Sequence, residues 1–138
     1  MKFAVGFAEY IAARNDFGFS FTKNTVSGKS IFVLDVENSS YLLIADEGGQ
    51  IGVIDINDKN IKLTELTTVD KTRTYHEIQF EKASVDILEE SKTSNQAISR
   101  SIDAGRIVLA ADSLGASETL LKKAVEYSKE RKQFGRAI

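Results

Sequence analysis

Up to Phe80 the apolar residues recur in short runs with a period of two; from Ala97 onward they recur every three or four positions. The first pattern is that of strands and the second that of a helix. Over residues 3–14, Phe3, Val5 and Phe7 fall on one side and Ala4, Gly6, Ala8 and Tyr10 on the other, predicting a strand followed by a turn at Asn15 and Asp16. Phe17, Phe19 and Phe21 share a face opposite Ser20 and Thr22, predicting a second strand that ends in the turn at Lys23, Asn24 and Thr25. Residues 31–34 are continuously apolar, which predicts a central strand covered on both faces. Residues 41–45 and 51–56 flank the turn residues Asp46, Glu47, Gly48 and Gly49 and read as a hairpin. A further turn over 57–60 leads to Ile61, Leu63 and Leu66, and a last strand carries Tyr75, Ile78 and Phe80. About seven short strands with no helical pattern between them predict an antiparallel barrel or sandwich. The fold class expected is therefore α+β, an antiparallel β-barrel or sandwich followed by a long C-terminal α-helix.

Thr93 and Gln96 have the spacing of a capping box and predict the start of that helix. Ile98, Ile102, Leu109, Ala116 and Leu120 then form one apolar line, and Ile107, Ala110, Ala111, Leu114, Leu121 and Val125 a second. A helix of roughly 35 residues is about 50 Å long, too long for a small sheet domain to cover. The expected organisation is a β-domain over 1–90 and the start of a helical domain over 91–138. The two lines would be buried against neighbouring helices, Gly105, Ala110, Ala111, Gly115 and Ala116 allowing close approach, which predicts self-association through the helix.

Composition narrows the chemistry. The formal net charge of −2, with 42% apolar and 28% charged residues, describes a globular chain with no strong polyionic character, so nucleic acid is not the expected partner. The chain has no cysteine, which excludes a thiol nucleophile, and a single histidine, His76, read as a half-exposed strand residue rather than a base. No run approaches the roughly 18 apolar residues of a membrane span. Glu9 interrupts the only apolar N-terminal run, which is read as a strand rather than a signal segment, and the expected location is cytoplasmic. Gly48 and Gly49 read as a turn and not a phosphate loop, because no helix follows them.

Four motifs in order point further. Thr72 and Arg73 precede a strand ending in Phe80 and then Val85, Ile87 and Leu88; Asp103, Gly105, Arg106, Ala110 and Ala111 follow the pattern D-x-G-R-x-x-x-A-A; Leu114, Gly115 and Ala116 come next; and Tyr127, Arg131, Gln133, Phe134 and Gly135 follow Y-A-x-x-R-x-Q-F-G. Together over residues 72–138 these resemble the acyl-CoA dehydrogenase family. Residues 27–35 are similar, more loosely, to its N-G-x-K-x-W-I-T-N segment.

The resemblance implies an FAD-dependent enzyme that oxidises a fatty acyl-CoA to the trans-2-enoyl-CoA and passes electrons to a further acceptor. It implies that Phe32, Val33 and Leu34 flank the flavin, that Arg131, Gln133 and Phe134 reach the FAD of a neighbouring subunit, and that Asp103 and Arg106 contact the CoA portion of the substrate. On residue type alone Arg131 reads first as part of a solvated basic helix end, a reading that the other three motifs reverse, and Asp103 with Arg106 reads equally as an ordinary helix ion pair. Phe32 replaces the family's Trp and Leu34 its Thr, so the side chain at position 34 has no hydroxyl to offer a flavin. The family's TEPxxGSD motif is not found before these strands, and its catalytic Glu is expected in helices beyond Ile138. The expectation is thus a part of such an enzyme, the middle β-barrel and first long C-terminal helix, inactive alone and with no catalytic residue assigned. The alternative is a non-catalytic β-barrel module that docks partners through its helix.

Overall fold

The computed structural model describes residues 2–7, 10, 17–88 and 94–138. Its elements form two compact units, residues 1–98 and 99–138. The predicted turn at Asn15 and Asp16 and the capping Thr93 lie outside the described residues.

In the first unit the strands are β1 (Phe3–Gly6), β2 (Gly18–Thr22), β3 (Thr25–Leu34), β4 (Tyr41–Ala45), β5 (Ile51–Asp55), β6 (Ile61–Leu66), β7 (Tyr75–Ser84) and β8 (Asp86–Ile87), with one 3-10 turn over Val36–Asn38. They make two four-stranded sheets, ordered β1-β4-β5-β8 and β2-β3-β7-β6. All pairings within them are antiparallel except β1 with β4, which is parallel. Neither sheet closes into a barrel. Period-two alternation places the core between them: Ala4, Leu42, Ile44 and Ile54 from the first sheet pack with Val26, Val33, Ile78, Phe80 and Ala83 from the second. Phe19 and Phe21 flank this core, and Phe19 meets the Phe80 ring edge-on at 6.0 Å. On β1 the small residues Ala4 and Gly6 face inward while Phe3 and Val5 stand outward, Phe3 against the ring of Tyr41.

Strand β3 is central, as its apolar run predicts, but it is not covered on both faces. Ser30 pairs with Ile78 and Val33 with His76, so three steps on β3 match two on β7. This bulge puts Phe32 in the left-handed region (φ 60) and leaves it 45% exposed. The run is continuous because an extra residue shifts the alternation by one, not because both sides are buried. A second bulge, on β7, gives Lys82 a φ of 59, and its N–H donates to Ser27 Oγ at 3.2 Å.

His76 also departs from expectation. It alternates with Ile78 and Phe80 along β7, shares their inward face, and is 1% exposed. Its Nε2 lies 3.2 Å from Glu37 Oε1, close enough for an ion pair but off the line of a hydrogen bond, and neither ring nitrogen has a well-directed partner among the described residues.

Helix α1 spans Ser94–Glu130, 37 residues, and is followed by the short strands β9 (Lys132–Gln133) and β10 (Arg136–Ala137). Its first turn belongs to the first unit, where Ile98 is buried and Asn95 lies against Gly49. At 100° per residue the two apolar lines lie roughly 140° apart around the axis. Beyond Ile102, which is partly buried, these residues are exposed, Ile107 at 70% and Leu114 at 71% among them. Ser113, Ser117 and Thr119 satisfy their hydroxyls on carbonyls one turn back and so do not break the helix.

Candidate functional site

The candidate residues fall into three groups. The first is the irregular end of β3. Phe32 and Asp35 both have left-handed backbone (φ 60 and 49) within four residues, which is uncommon for residues other than glycine. Cross-strand contacts hold the segment: Asp35 N–H donates to Thr74 O at 3.0 Å and Thr74 Oγ1 donates to Asp35 Oδ1 at 3.2 Å. Val33 between them is fully buried and anchors the segment in the core, while Leu34 pairs with Tyr75 and is partly buried. The bulge thus turns one aromatic face outward on a strand that is otherwise rigidly paired. Backbone strain of this kind costs about 1 kcal/mol or more per residue and persists where surrounding contacts over-determine it. A recess of about 520 Å³ lined by Lys2, Phe3, Asp35, Asn38 and Ser39 opens at the end of the segment.

The second group is the ion pair on α1. Arg106 Nη1 donates to Asp103 Oδ1 at 3.0 Å, with both side chains more than half exposed, so the two residues are paired with each other one turn apart. An exposed pair of this type is worth less than about 1 kcal/mol and leaves both groups accessible.

The third is the end of α1 and the turn beyond it. Gln133 pairs with Arg136 and Lys132 with Ala137 across a two-residue turn formed by Phe134 (φ 52) and Gly135 (φ 79). Two successive left-handed residues are the geometry of a tight hairpin, which Gly135 permits without cost and Phe134 does not. Phe134 is fully exposed at the tip. Arg131, at the junction, donates from Nη1 to Tyr127 Oη at 2.6 Å, and its Cζ lies 5.6 Å from the centre of the Tyr127 ring. Arg131, Gln133 and Phe134 are therefore brought together. Asp103 and Arg106 are not near them within one chain, being 28 and 25 residues earlier in sequence, about 40 Å along a helix.

Tyr127, Asp35 and Thr74 belong to these groups and were not among the sequence candidates. The four-residue spacing of Tyr127 and Arg131 on one helix face was a readable signal; the contact between Asp35 and Thr74 joins positions 39 apart and was not.

Taken group by group, the residues have chemistry that suits parts of a flavin nucleotide. A guanidinium fork suits a pyrophosphate, exposed aromatic rings suit planar ring systems, and a bulged strand presents backbone groups outside the sheet ladder. Among the described residues no group of three or more His, Cys, Asp or Glu is placed to hold a metal ion, and no helix is long and apolar enough to cross a membrane.

Comparison with known proteins bears on the same segments. Residues 95–138 match the family described as "Acyl-CoA dehydrogenase, C-terminal domain". No curated protein sequence matches the chain. Among solved structures, the chain is similar to butyryl-CoA dehydrogenase from Megasphaera elsdenii (22% identity, TM-score 0.76, 98% of this chain and 40% of that one). It is also similar to acyl-CoA dehydrogenase from Geobacillus kaustophilus (17%, TM-score 0.78, 98% and 41%). A glutaryl-coenzyme A dehydrogenase in complex with glutaryl-CoA aligns as well (19%, TM-score 0.69, 99% and 35%). The chain thus spans about 40% of the length of the structures it matches first. The resemblance read from its motifs is the one that both comparisons return: residues 95–138 match the acyl-CoA dehydrogenase C-terminal-domain family, and the fold of the chain is similar to the corresponding part of acyl-CoA dehydrogenase structures.

Proposed function

We propose that this chain forms part of an FAD-dependent acyl-CoA dehydrogenase, contributing the sheet unit on which the flavin rests and the helix that reaches a neighbouring subunit. The observation that carries this is the family match over residues 95–138, the segment that holds Asp103, Arg106, Arg131, Gln133 and Phe134. In this reading the bulge at Phe32 presents the ring beside the flavin, with Val33 anchoring it and the Leu34 backbone available as a donor. Arg131 binds pyrophosphate oxygens, with Gln133 and Phe134 beside the adenosine. Asp103 and Arg106 contact the CoA portion of a fatty acyl-CoA, which the complete enzyme converts to the trans-2-enoyl-CoA before handing electrons to an acceptor. Bound FAD supplies the hydride acceptor; the chain's own residues bind and orient.

No residue here is proposed as the base for the α-proton, and general-base catalysis needs one within hydrogen-bond reach of the substrate. The chain alone is therefore expected to give no turnover with FAD, a fatty acyl-CoA and an artificial electron acceptor. Clear dehydrogenation would refute that division of labour. Titration with FAD, followed by the flavin absorbance band, tests the cofactor assignment; binding that is unchanged in Arg131→Gln and Phe32→Ala would refute it.

The exposed apolar lines of α1 are proposed to be covered by helices of further copies. Light scattering is expected to give a mass above that of one 15.2 kDa chain, and a monodisperse monomer would refute the self-association.

A further inference from the structure

We propose that Tyr127 is a positioning residue for Arg131, fixing its guanidinium in one pose at the end of α1 without neutralising it. Two contacts on one side chain come from a single residue one turn back: the 2.6 Å hydrogen bond from Arg131 Nη1 to Tyr127 Oη and the ring centre 5.6 Å from Cζ. Backbone geometry brings the two residues onto one helix face, since Arg131 N–H also donates to Tyr127 O at 2.9 Å, continuing the helical register past Glu130. Glu126 and Glu130 are close in sequence, yet neither pairs with Arg131 among the described residues. That choice of partner has a chemical consequence. A carboxylate would hold the guanidinium and also cancel its charge; a phenol holds it by one of five N–H groups and by its ring face, leaving the charge and the other donors for an anion.

An unrestrained arginine must give up rotamer freedom when it binds, and a pre-ordered one has already done so. Tyr127 therefore raises the affinity of Arg131 for an anionic ligand without touching that ligand. Which ligand it is rests on the proposal above that Arg131 takes the FAD pyrophosphate; the pose itself does not.

Two measurements on the 138-residue chain separate these. In proton–nitrogen NMR of the labelled chain, the Arg131 side-chain signals are expected to be displaced by the Tyr127 ring, to keep part of that displacement in Tyr127→Phe, and to return to solvent-exposed positions in Tyr127→Leu. Titration with FAD is expected to show Tyr127→Leu binding about three- to tenfold more weakly, from the ordering cost of one long side chain, with Tyr127→Phe between it and the unaltered chain. In an Arg131→Gln background, Tyr127→Leu is expected to change nothing further. Arg131 signals at solvent-exposed positions in the unaltered chain would overturn the proposal, and so would an equal loss from Tyr127→Leu with and without Arg131. Displaced signals together with FAD binding indifferent to Arg131→Gln would uphold the positioning and refute the nucleotide assignment alone.

Discussion

Gly28 is the position where one added methyl group should do most damage to the sheet unit. It sits mid-strand in β3, between Phe19 of β2 and Phe80 of β7, with φ +123. A Cβ there would meet the carbonyl oxygen of Gly18 at 2.3 Å and the Cα of Phe19 at 2.6 Å. Both are backbone atoms, so no side chain can swing away; β2 itself must move by about 1 Å to restore ordinary contact distances near 3.5 Å. Overpacking of this kind costs about 1–3 kcal/mol, and a backbone angle that L-residues avoid adds about 1–3 kcal/mol. Gly28→Ala is therefore expected to lose about 2–6 kcal/mol. Set against a total of about 5–15 kcal/mol for a domain, this removes a large share of the stability. At about 4–8 °C per kcal/mol for a domain of this size, the midpoint should fall by at least about 8 °C. The chain has no tryptophan, and three of its four tyrosines (Tyr10, Tyr41 and Tyr75) lie in the first unit, so urea unfolding followed by tyrosine fluorescence reports mainly on the sheets. Lys29→Ala is the neighbouring control: it removes a partly exposed ion pair with Glu77 (3.0 Å) and should cost about 1 kcal/mol or less. A Gly28→Ala midpoint within error of the control would refute the steric argument.

Two further substitutions probe polar groups of the same unit. Asp58 accepts N–H donors from Asn60 and Ser84, both at 2.8 Å, and these hold its carboxyl below the usual carboxylate range. A depressed folded-state pKa gives stability that is present above the unfolded value near 3.8 and lost as pH falls through the folded value. Asp58→Asn should therefore lower stability at pH 7 by about 1 kcal/mol, after allowing for its solvent exposure, and should flatten the acid limb below about pH 4; an acid limb as steep as in the unaltered chain would count against the assignment. His76 is buried with neither ring nitrogen well paired, so His76→Leu is expected to raise stability by about 1 kcal/mol by removing the unmet polar atoms. A loss of 2 kcal/mol or more would instead mean that the contact with Glu37 is a net stabilising one.

How much of this was legible depended on whether a feature left a mark on residue type. The sheet unit was legible where apolar and polar residues alternate, as with Phe19 and Phe21 against Ser20; over residues 41–45 the run is apolar throughout, and residue type does not show that Leu42 and Ile44 are the ones that face inward. His76 carried the same mark: counting back by two from Phe80 and Ile78 puts it on the inner face, and weighing its chemistry before its position hid that. The parallel pairing of β1 with β4 left no mark, because alternation fixes the face of a strand and says nothing of which strand lies beside it. The bulge at Phe32 left a misleading one. Left-handed backbone is usually announced by Gly or Asn; here a Phe adopts it, and the added residue turns alternation into an unbroken apolar run that mimics a fully covered strand. The candidate site divides along the same line. The hairpin after α1 was not read from the sequence, where the helix is expected to run to the end, although Gly135 marks the turn; Arg131, Gln133 and Phe134 stood together in sequence, so their proximity in space follows from four residues of chain. The segment from Phe32 to Asp35 is held instead by Thr74, across 39 positions, and its role depends on a backbone angle that no side chain declares. Residues that act through local geometry can thus be read from spacing, whereas those held by distant strands become visible only once the sheet is paired.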